Sequence, residues 1–597
     1  MNQPRSEHPK PQFYRKDWIC LNGTWDYKVS NHLMKNMEEL TGTHFKPLSL
    51  VRFEKRKITV PFVPESKLSG IGDTNLTSMQ QYSKEIRIPK NWEGMNVNIH
   101  FGGVYYYAKI FLDGNFVGYH AGGSVSFHFD LTPYVKYGQV QNLLVDVYNN
   151  IWNGTQPSGK QSWKNESYGC FYTRSTGIWQ SVWLEKVHPQ GLKDIQILPD
   201  LDGGTFTFIP RFIATEKGNT WKANVFEGTN KVSEYIASSF DGNPIKVDVA
   251  SPKSWSPESP FLYKFIFEVM DNNGQLLDTV GSYGALRKIH IEGNTFFLNN
   301  KPYFQRLVLD QGFYPDGIWT APSDEALKND IVLAKEAGFN GARLHQKVFE
   351  ERFLYWADTL GYIVWGESAS WGIDYNQDGL PHRNFLSEWR EIVQRDRNHP
   401  CIVAWTPFNE TRVFTNPISH KRIHEEAYNI CKAIDPTRPV NDASGYIHHI
   451  TDIYTVHNYK QDPEELRELL ARKKDGSVFQ NFPDSDSPYK GQPYYIDEFG
   501  GIKWAPSFNE DLDTSASSRK KSWGYGEPPG SLDDFYKRLE SLVKVIQDTP
   551  HIVGWCYTQL TDVEQEQNGI YFYDRTVKFD MERIKEIFQM PKNGYDN

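Results

Sequence analysis

Two glutamates that each close an apolar run are the strongest candidates for chemistry in this sequence. Glu410 follows the run from Cys401 to Asn409, and Glu498 follows the run that begins at Gln492. Both runs have the length and composition of buried strands, and barrel enzymes place catalytic side chains where such strands end. A single glutamate there would suggest an ordinary salt bridge. Two predict a carboxyl pair across a cleft, the arrangement that hydrolyses a glycosidic bond.

The residues around both glutamates resemble those of a known enzyme family. The pattern Asn398-His-Pro-x-Ile-x-x-Trp-x-x-x-Asn-Glu410, followed by Tyr494-x-x-x-Glu498-Phe-Gly, resembles glycoside hydrolase family 2, which contains β-galactosidases and β-glucuronidases. The resemblance implies that Glu410 is the acid/base and that Glu498 is the nucleophile of a retaining mechanism. Glu410 must then be protonated in the first step, while Glu498 stays ionised.

Further candidates for substrate binding lie near other predicted strand ends. The resemblance implies that Tyr459 is hydrogen-bonded to the nucleophile and that Asn409 holds the sugar 2-hydroxyl. His457 either contacts substrate or satisfies a neighbouring backbone group. Trp555 and Tyr557 share one side of a predicted strand because side chains alternate along a strand. We expect one of these two rings to stack on a sugar.

Two stretches depart from the family pattern in ways that concern the substrate. Where the family has Arg-x-Ser-His-Tyr-Pro, this chain has Arg343 at the arginine, His345 at the serine and Gln346 at the histidine. Where it has Arg-Gly-x-x-x-His, this chain has the run that begins at Arg306, and we assign Asp310 to the histidine position. Both departures argue against an ordinary β-galactosidase subsite, so we expect no metal and no cofactor.

The elements that must position these residues form a predicted (β/α)8 TIM barrel over residues 290–597. Helical periods alternate with apolar runs from Gly293 onward, which is typical of a parallel barrel. Glu410 would end its fourth strand and Glu498 its seventh. The eight strands are predicted near residues 302–309, 339–344, 362–367, 401–408, 438–442, 452–458, 493–498 and 551–558.

Two β-domains are predicted ahead of the barrel, so the fold class is multidomain, with β and α/β parts. Residues 1–187 resemble the jelly-roll sugar-binding domain of the family, through the stretches Trp18–Asp26, Phe101–Tyr105 and Ser175–Glu185. Residues 188–289 read as an immunoglobulin-like β-sandwich of short strands. The aromatic residues of the first domain are explained better by packing than by glycan binding.

Composition excludes several classes of partner. The 597 residues carry a net charge of −9 with a pI near 6.0, so nucleic acid and anionic membranes are not expected partners. No apolar run is long enough for a membrane span, and the first ten residues lack a signal-peptide core, so we expect a cytoplasmic protein. The five cysteines lack metal-ligand spacing and are expected to be buried thiols. The expected partner is a carbohydrate, and a homo-oligomer is compatible with the sequence.

The sequence therefore predicts a retaining exo-β-glycosidase for a neutral sugar, galactose-like first. β-Glucuronidases of the family hold the substrate carboxylate with Asn-x-Lys, whereas the corresponding run, residues 564–569, is acidic and has no lysine. A uronic acid or arabinose-type sugar is the alternative, with Arg343, Lys347 or Arg412 recruiting an acidic group. An endo-acting glycanase and a catalytically silent glycan-binding protein also stay open. The presence of both glutamates disfavours the silent protein.

Overall fold

The computed structural model describes residues 3–30, 54–505 and 522–595 of the chain. Two antiparallel sheets enclose the first hydrophobic core. Their inward positions alternate with outward ones, as in Asn96–Phe101, where Val97, Ile99 and Phe101 are buried. One sheet has the strand order Trp18–Cys20, Val182–Val187, Asn96–Phe101 and Phe127–Asp130. The other has the order Glu54–Val60, Gly23–Ser30, Met79–Arg87, Val140–Tyr148, Tyr107–Leu112 and Asn115–Ala121.

A second sandwich follows, with three strands facing four. Its core is aromatic, because Phe206 and Phe208 on one sheet meet Phe265 and Phe267 on the other, edge to face. The three-stranded sheet contains Leu192–Asp200, Thr205–Phe212 and Ile245–Asp248. The four-stranded sheet contains Asn230–Ser238, Thr220–Glu227, Tyr263–Met270 and Leu276–Gly284. Short strands occupy Val104–Tyr105, Gly177–Ile178, Trp255–Ser256, Ser259–Pro260, Ile289–Glu292, Thr295–Leu298 and Lys301–Pro302.

The C-terminal part is the predicted barrel, which confirms the fold class. Seven parallel strands share one sheet, in the order Ile402–Thr406, Ile363–Glu367, Gly341–Leu344, Gln305–Asp310, Ile552–Thr558, Tyr494–Gly500 and Tyr454–His457. The described helices around them are Asp324–Glu336, Glu351–Leu360, Leu380–Asp396, Pro417–Ile434, Pro463–Leu470, Leu532–Asp548 and Met581–Phe588. No helix in the described ranges has both the length and the apolar character needed to span a bilayer.

The fifth barrel strand lies C-terminal to its predicted place. Regular pairing occurs between Phe408–Asn409 and Ala443–Ser444 rather than over residues 438–442. The predicted segment does run beside the fourth strand, since Asn441 N donates to Trp405 O at 2.9 Å. Pro439 has no N–H to donate, which keeps this part of the ladder short. The pairing that does form sets Glu410 directly beyond the end of a paired strand.

A loop of the first sandwich reaches the mouth of the barrel. Backbone N–H groups of Ser158 and Gly159 donate to Trp371 O, at 2.6 and 3.1 Å. Gly159 has a φ of +57°, and a Cβ placed there would lie 2.2 Å from Gln346 O. Only glycine can therefore make this approach. The contact fixes the next residue, Lys160, against the barrel.

A buried carboxylate joins the second sandwich to the barrel. Asp358, in the helix Glu351–Leu360, accepts hydrogen bonds from Tyr283 Oη at 2.8 Å and from Cys401 N at 2.8 Å. His399 Nδ1 lies 2.6 Å from the same side chain. All four residues are buried. Removing the carboxylate would leave several buried donors without an acceptor, which is costly.

We expect Asp358→Ala to lower the unfolding temperature by roughly 5 °C or more, because one partner of a buried network is lost. Differential scanning calorimetry of the whole chain measures the shift. Asp484→Ala, at an exposed position, is the control and should leave the unfolding temperature unchanged. Equal unfolding temperatures for the two variants would contradict a structural role for Asp358.

Candidate active site

The two predicted glutamates face each other at the C-terminal end of the barrel. Glu410 follows Phe408–Asn409 with a φ of +48°, and Glu498 lies within Tyr494–Gly500. One carboxylate oxygen of each lies within 4.8 Å of the other and of a ring nitrogen of His457. Retaining glycosidases separate their carboxyl groups by about 5–5.5 Å and inverting ones by about 6.5–9.5 Å. The limit of 4.8 Å between the two oxygens lies below both ranges and is nearer to the shorter one.

The surroundings of Glu498 favour its charged form. Arg343 Nη2 donates to Glu498 Oε1 at 2.9 Å, and Tyr459 Oη donates to Oε2 at 2.5 Å. Burial by itself would raise the pKa of Glu498, but the positive charges of His457 and Arg343 outweigh it and hold the pKa well below its usual range. The carboxylate is ionised and oriented, as a nucleophile must be.

His457 bridges both carboxylates. Its Nδ1 lies 2.7 Å from Glu410 Oε1 and 3.4 Å from Glu498 Oε2, while its Nε2 lies 3.2 Å from Asp497 Oδ1 and 2.9 Å from Ser444 Oγ. Burial lowers the pKa of the ring, but the charges of Glu498 and Asp497 raise it to about 10. His457 is an imidazolium at neutral pH and donates to Glu410. The ring nitrogens of His457 thus contact carboxylates and not a neighbouring backbone group, which was one of the two roles that the sequence suggested.

Arg343 connects the nucleophile to the rest of the site. Its Nε donates to Glu367 Oε2 and its Nη2 to Asn409 Oδ1, both at 2.8 Å, and its Nη1 donates to Asp497 O at 2.8 Å. Because Asn409 Oδ1 accepts a hydrogen bond from Arg343, the orientation of the Asn409 side-chain amide is fixed. Asn409 Nδ2 is buried and has no hydrogen-bond partner among the described residues. It is a donor left over for a ligand.

His345 lies beside Arg343 and is neutral. Arg343 Nη2 lies 2.7 Å from His345 Nδ1. Burial is the largest influence and lowers the pKa of His345, and the charges of Lys160 and Arg343 lower it further. Gln346, at the family's histidine position, donates from Nε2 to Ser370 Oγ at 3.1 Å. These two residues line the base of the site without adding charge.

The expectation for Trp555 and Tyr557 is wrong. Both rings are fully buried and contact Phe588, in the helix Met581–Phe588, at centroid distances of 5.6 and 5.0 Å. They lie on the helix-facing side of the strand Ile552–Thr558, so no sugar can stack on them. Alternation along the strand turns Thr558 toward the site, where its Oγ1 lies 3.0 Å from Tyr459 Oη.

The assignment of Asp310 to the family's histidine position is also wrong. Asp310 interacts with Asp330 of the helix Asp324–Glu336; burial and then the Asp330 charge raise its pKa to about 7. Counted from Arg306, the six-residue pattern ends on Gln311 instead. Gln311 Nε2 donates to Gln559 Oε1 at 2.6 Å and to Tyr172 Oη at 3.1 Å.

One wall of the site comes from parts of the chain that carried no sequence signal. Tyr172, in the loop of the first sandwich, donates its hydroxyl to Glu566, which also accepts from Asn568 Nδ2 at 3.0 Å. Trp371 Nε1 donates to Asn409 O at 3.0 Å, and its half-buried ring lies 5.6 Å from the ring of Phe171. Glu367 could have been predicted, because it too ends an apolar strand. The others are brought together only by the tertiary fold.

Three family models match the chain. The model for the family 2 TIM barrel domain of glycosyl hydrolases covers residues 289–593, which is more than half of the chain. The chain belongs to glycosyl hydrolase family 2. The sugar binding domain model of the same family matches residues 68–187, and a further family 2 model matches residues 213–287.

Relatives of this family 2 chain carry two activities in their names. A β-galactosidase of Thermoanaerobacter pseudethanolicus is 26% identical over 66% of this chain and 52% of its own length. A β-galactosidase of Lactococcus lactis is 27% identical over 71% of this chain and 42% of its own length. A β-glucuronidase of Paenibacillus borealis is 23% identical over 72% of this chain and 75% of its own length. This chain thus spans about half, or less, of the two β-galactosidases.

Solved structures share the fold along almost the whole chain. A β-D-glucuronidase of Dictyoglomus thermophilum has a TM-score of 0.76 at 19% identity, covering 98% of this chain and 99% of its own. A β-glucuronidase of Ruminococcus gnavus has a TM-score of 0.77 at 18% identity, covering 99% of this chain and 100% of its own. These similarities establish the three-domain architecture.

The charge on His457 can be tested directly. Since Glu498 is the strongest influence raising the pKa of His457, we expect Glu498→Gln to move it from about 10 toward its ordinary value. NMR titration of protein with labelled histidine follows the ring, and His457→Gln assigns its signal. Glu426→Gln, at an exposed glutamate, should leave the titration unchanged. A wild-type His457 that titrates near 6.5 would contradict the imidazolium.

Proposed function

We propose that this family 2 protein is a retaining β-glycosidase that releases a terminal β-linked sugar. The observation that carries the proposal is the separation of Glu410 and Glu498, whose nearest ligand oxygens lie within 4.8 Å. In the first step Glu498 attacks the anomeric carbon, the glycosidic C–O bond breaks, and Glu410 gives its proton to the leaving oxygen. In the second step Glu410 takes a proton from water, which displaces Glu498 from the sugar.

His457 orients Glu410 through a charged hydrogen bond. The histidine is charged, and its Nδ1 lies 2.7 Å from Glu410 Oε1 and donates to it. The hydrogen bond holds one carboxyl oxygen of Glu410, so that its other oxygen is the one that gives a proton to the leaving group and later takes one from water. The same histidine lies near Glu498, which keeps its charge through Arg343 and Tyr459.

Asn409 is the proposed ligand of the sugar 2-hydroxyl. Its Oδ1 is held by Arg343, and its Nδ2 is the buried donor without a partner among the described residues. Because charge develops at the anomeric carbon next to this hydroxyl, the hydrogen bond strengthens in the transition state. The amide therefore contributes more to turnover than to ground-state binding.

We expect Asn409→Ala to lower kcat by roughly 100-fold while changing KM much less, because the lost interaction is strongest in the transition state. Steady-state kinetics on a nitrophenyl glycoside separates the two parameters. Asn416→Ala, which removes a helix-capping side chain away from the site, is the control for changes in folding. A rise in KM with kcat unchanged would contradict the assignment of Asn409.

The end of the site supports exo action. The loop of the first sandwich closes over the residues that follow the eighth strand: Gln565 Nε2 donates to Gly169 O at 2.7 Å, and Trp523 Nε1 donates to the same oxygen at 2.6 Å. A closed end suits one terminal sugar better than the middle of a chain. An endo-acting glycanase is correspondingly disfavoured, and the silent glycan-binding protein is disfavoured by the intact carboxyl pair.

The sugar is the open part of the proposal. The sequence favours a neutral, galactose-like sugar, with a uronic acid or arabinose-type sugar as the alternative, and the named relatives include both β-galactosidases and β-glucuronidases. The charges that face the sugar decide between these possibilities. The sequence of residues 564–569 does not by itself predict how strongly they repel an acidic sugar, because Glu566 accepts hydrogen bonds from Tyr172 and Asn568.

We expect Glu410→Ala to lower turnover of substrates with poor leaving groups by roughly 10²- to 10⁴-fold, and Glu498→Ala to abolish it, with both proteins folded. Azide should restore turnover of a nitrophenyl glycoside by Glu410→Ala and yield a β-glycosyl azide. A mechanism-based fluoro-sugar should label Glu498, as mass spectrometry of peptides would show.

The control is Glu426→Ala, at an exposed glutamate. Full activity of Glu410→Ala on poor leaving groups would show that another residue is the acid. A fluoro-sugar label on a residue other than Glu498 would overturn the nucleophile.

A further inference from the structure

The basic residues that the sequence offered for an acidic sugar are all engaged. Arg343 is bonded to the nucleophile and its neighbours, as described above. Lys347 Nζ donates to Gly312 O at 2.6 Å and to Trp319 O at 2.8 Å. Arg412 lies over the ring of Tyr446, 4.8 Å from its centroid, and donates to its hydroxyl at 3.3 Å. Arg343 and Lys347 are thus held by the protein, and Arg412 is exposed and lies on a tyrosine ring, so it is not a buried cation that needs a ligand.

A different cation is buried beside Trp371 without a hydrogen bond or an ion pair to the described residues. Lys160 is 7% exposed, and its Nζ makes no hydrogen bond or ion pair with any residue that the structure describes. Its backbone is fixed, because Lys160 O accepts from Tyr172 N at 2.8 Å and the preceding glycine is held against Trp371. The loop of the first sandwich therefore holds the backbone of Lys160 against the barrel, and the ammonium group of its side chain lies there.

The ammonium group lies over Trp371, a ring that is itself bonded to Asn409. Its Nζ is 5.6 Å from the ring centroid of Trp371, whose indole donates to Asn409 O. Burial raises the pKa of Glu566, and the charge of Lys160 is the strongest influence opposing that rise. Lys160 also acts on Glu498, after burial and the nearer cations. The charge of Lys160 therefore acts on the carboxylates of both Glu498 and Glu566.

The acidic groups around Lys160 already have partners. Glu498 is bonded to Arg343 and Tyr459, and Glu566 to Tyr172 and Asn568. Glu564, the other acid of that run, accepts from Thr173 N at 3.1 Å. These hydrogen bonds occupy the acids of the wall, and none of the acids bonds directly to Lys160 Nζ. A buried ammonium group without a hydrogen-bond acceptor is costly, which points to a ligand as the missing acceptor.

We propose that Lys160 binds the carboxylate of a β-linked uronic acid, so that the first sandwich supplies the residue that selects an acidic sugar. The proposal rests on the glycosidase function proposed above and names its substrate class. A carboxylate provides both the negative charge and the acceptor oxygens that the ammonium group lacks. A neutral sugar would offer only a hydroxyl group, which is a weaker acceptor for an ammonium group than a carboxylate. The neutral, galactose-like sugar expected from the sequence is then the poorer substrate.

Kinetics on nitrophenyl glycosides that differ only at C6 tests the proposal. The two pairs are β-galactoside with β-galacturonide and β-glucoside with β-glucuronide; β-mannoside and α-L-arabinoside complete the panel. We expect wild-type kcat/KM to be highest on one uronide, at least roughly 100-fold above its neutral partner. Lys160→Met should lower kcat/KM on that uronide by roughly 100-fold and change the neutral partner by less than about tenfold.

Two further variants separate binding from folding. Lys160→Arg keeps the charge and should restore part of the uronide activity. Lys164→Met removes an exposed lysine of the same loop, which lies 4.0 Å from the ring centroid of Tyr168, and should behave as wild type. Circular dichroism and the unfolding temperature verify that each variant is folded.

Binding of free sugars gives a test that does not depend on turnover. Calorimetry with glucuronate and galacturonate, matched with glucose and galactose, should show a preference for a uronate that Lys160→Met removes. A wild-type preference for the neutral partner, or an equal loss on both partners in Lys160→Met, would overturn the uronate assignment and leave the glycosidase standing. If no glycoside is hydrolysed but the uronate preference is present and depends on Lys160, the glycosidase proposal fails and the binding site stands.

Discussion

The site depends on one guanidinium group, that of Arg343. It is completely buried and holds the nucleophile Glu498, the amide oxygen of Asn409 and the carboxylate of Glu367. A planar group with five donors can fix three acceptors in one geometry, which a lysine could not. The charge of Arg343 keeps Glu498 ionised, and its hydrogen bond orients Asn409. Nucleophile and amide are therefore set by the same side chain.

Charge balance within the barrel follows from this arrangement. Burial opposes the charged forms of Glu498, Arg343 and His457, and each of these charges is maintained by neighbours of opposite sign. His457 keeps its proton because Glu498 and Asp497 lie next to it, and it lies within hydrogen-bond reach of Glu410. Glu498 is held in its ionised form, whereas Glu410 accepts a hydrogen bond from His457. Two chemically identical side chains acquire different roles from their surroundings.

The barrel does not complete the site by itself. The loop of the first sandwich supplies Lys160, Phe171 and Tyr172, and its close approach at Gly159 is possible only without a side chain. Tyr172 bonds Glu566 of the barrel, so the wall opposite Trp371 is shared between two domains. Glu410 and Glu498 lie at the ends of strands, which are rigid, whereas Lys160 lies in a loop carried by another domain. Substrate preference can thus change without altering the catalytic pair.

The sequence by itself determined the fold class, and it singled out Glu410, Glu498, Asn409 and Tyr459, which the structure brings together at one end of the barrel. These residues follow apolar runs whose period is local, and parallel barrel strands bring their C-terminal ends to one face. Only the tertiary structure decided which face of the eighth strand carries Trp555 and Tyr557, because the two faces of a strand buried on both sides are equally apolar. The structure also decided that the side chain of Asp310 lies beside Asp330, whereas the place of Gln311 in the family pattern follows from counting along the sequence. Lys160 lies far from the barrel in sequence. That its ammonium group is buried without a hydrogen bond or ion pair depends on the partners of the surrounding acids, and a local sequence pattern contains no information about those partners.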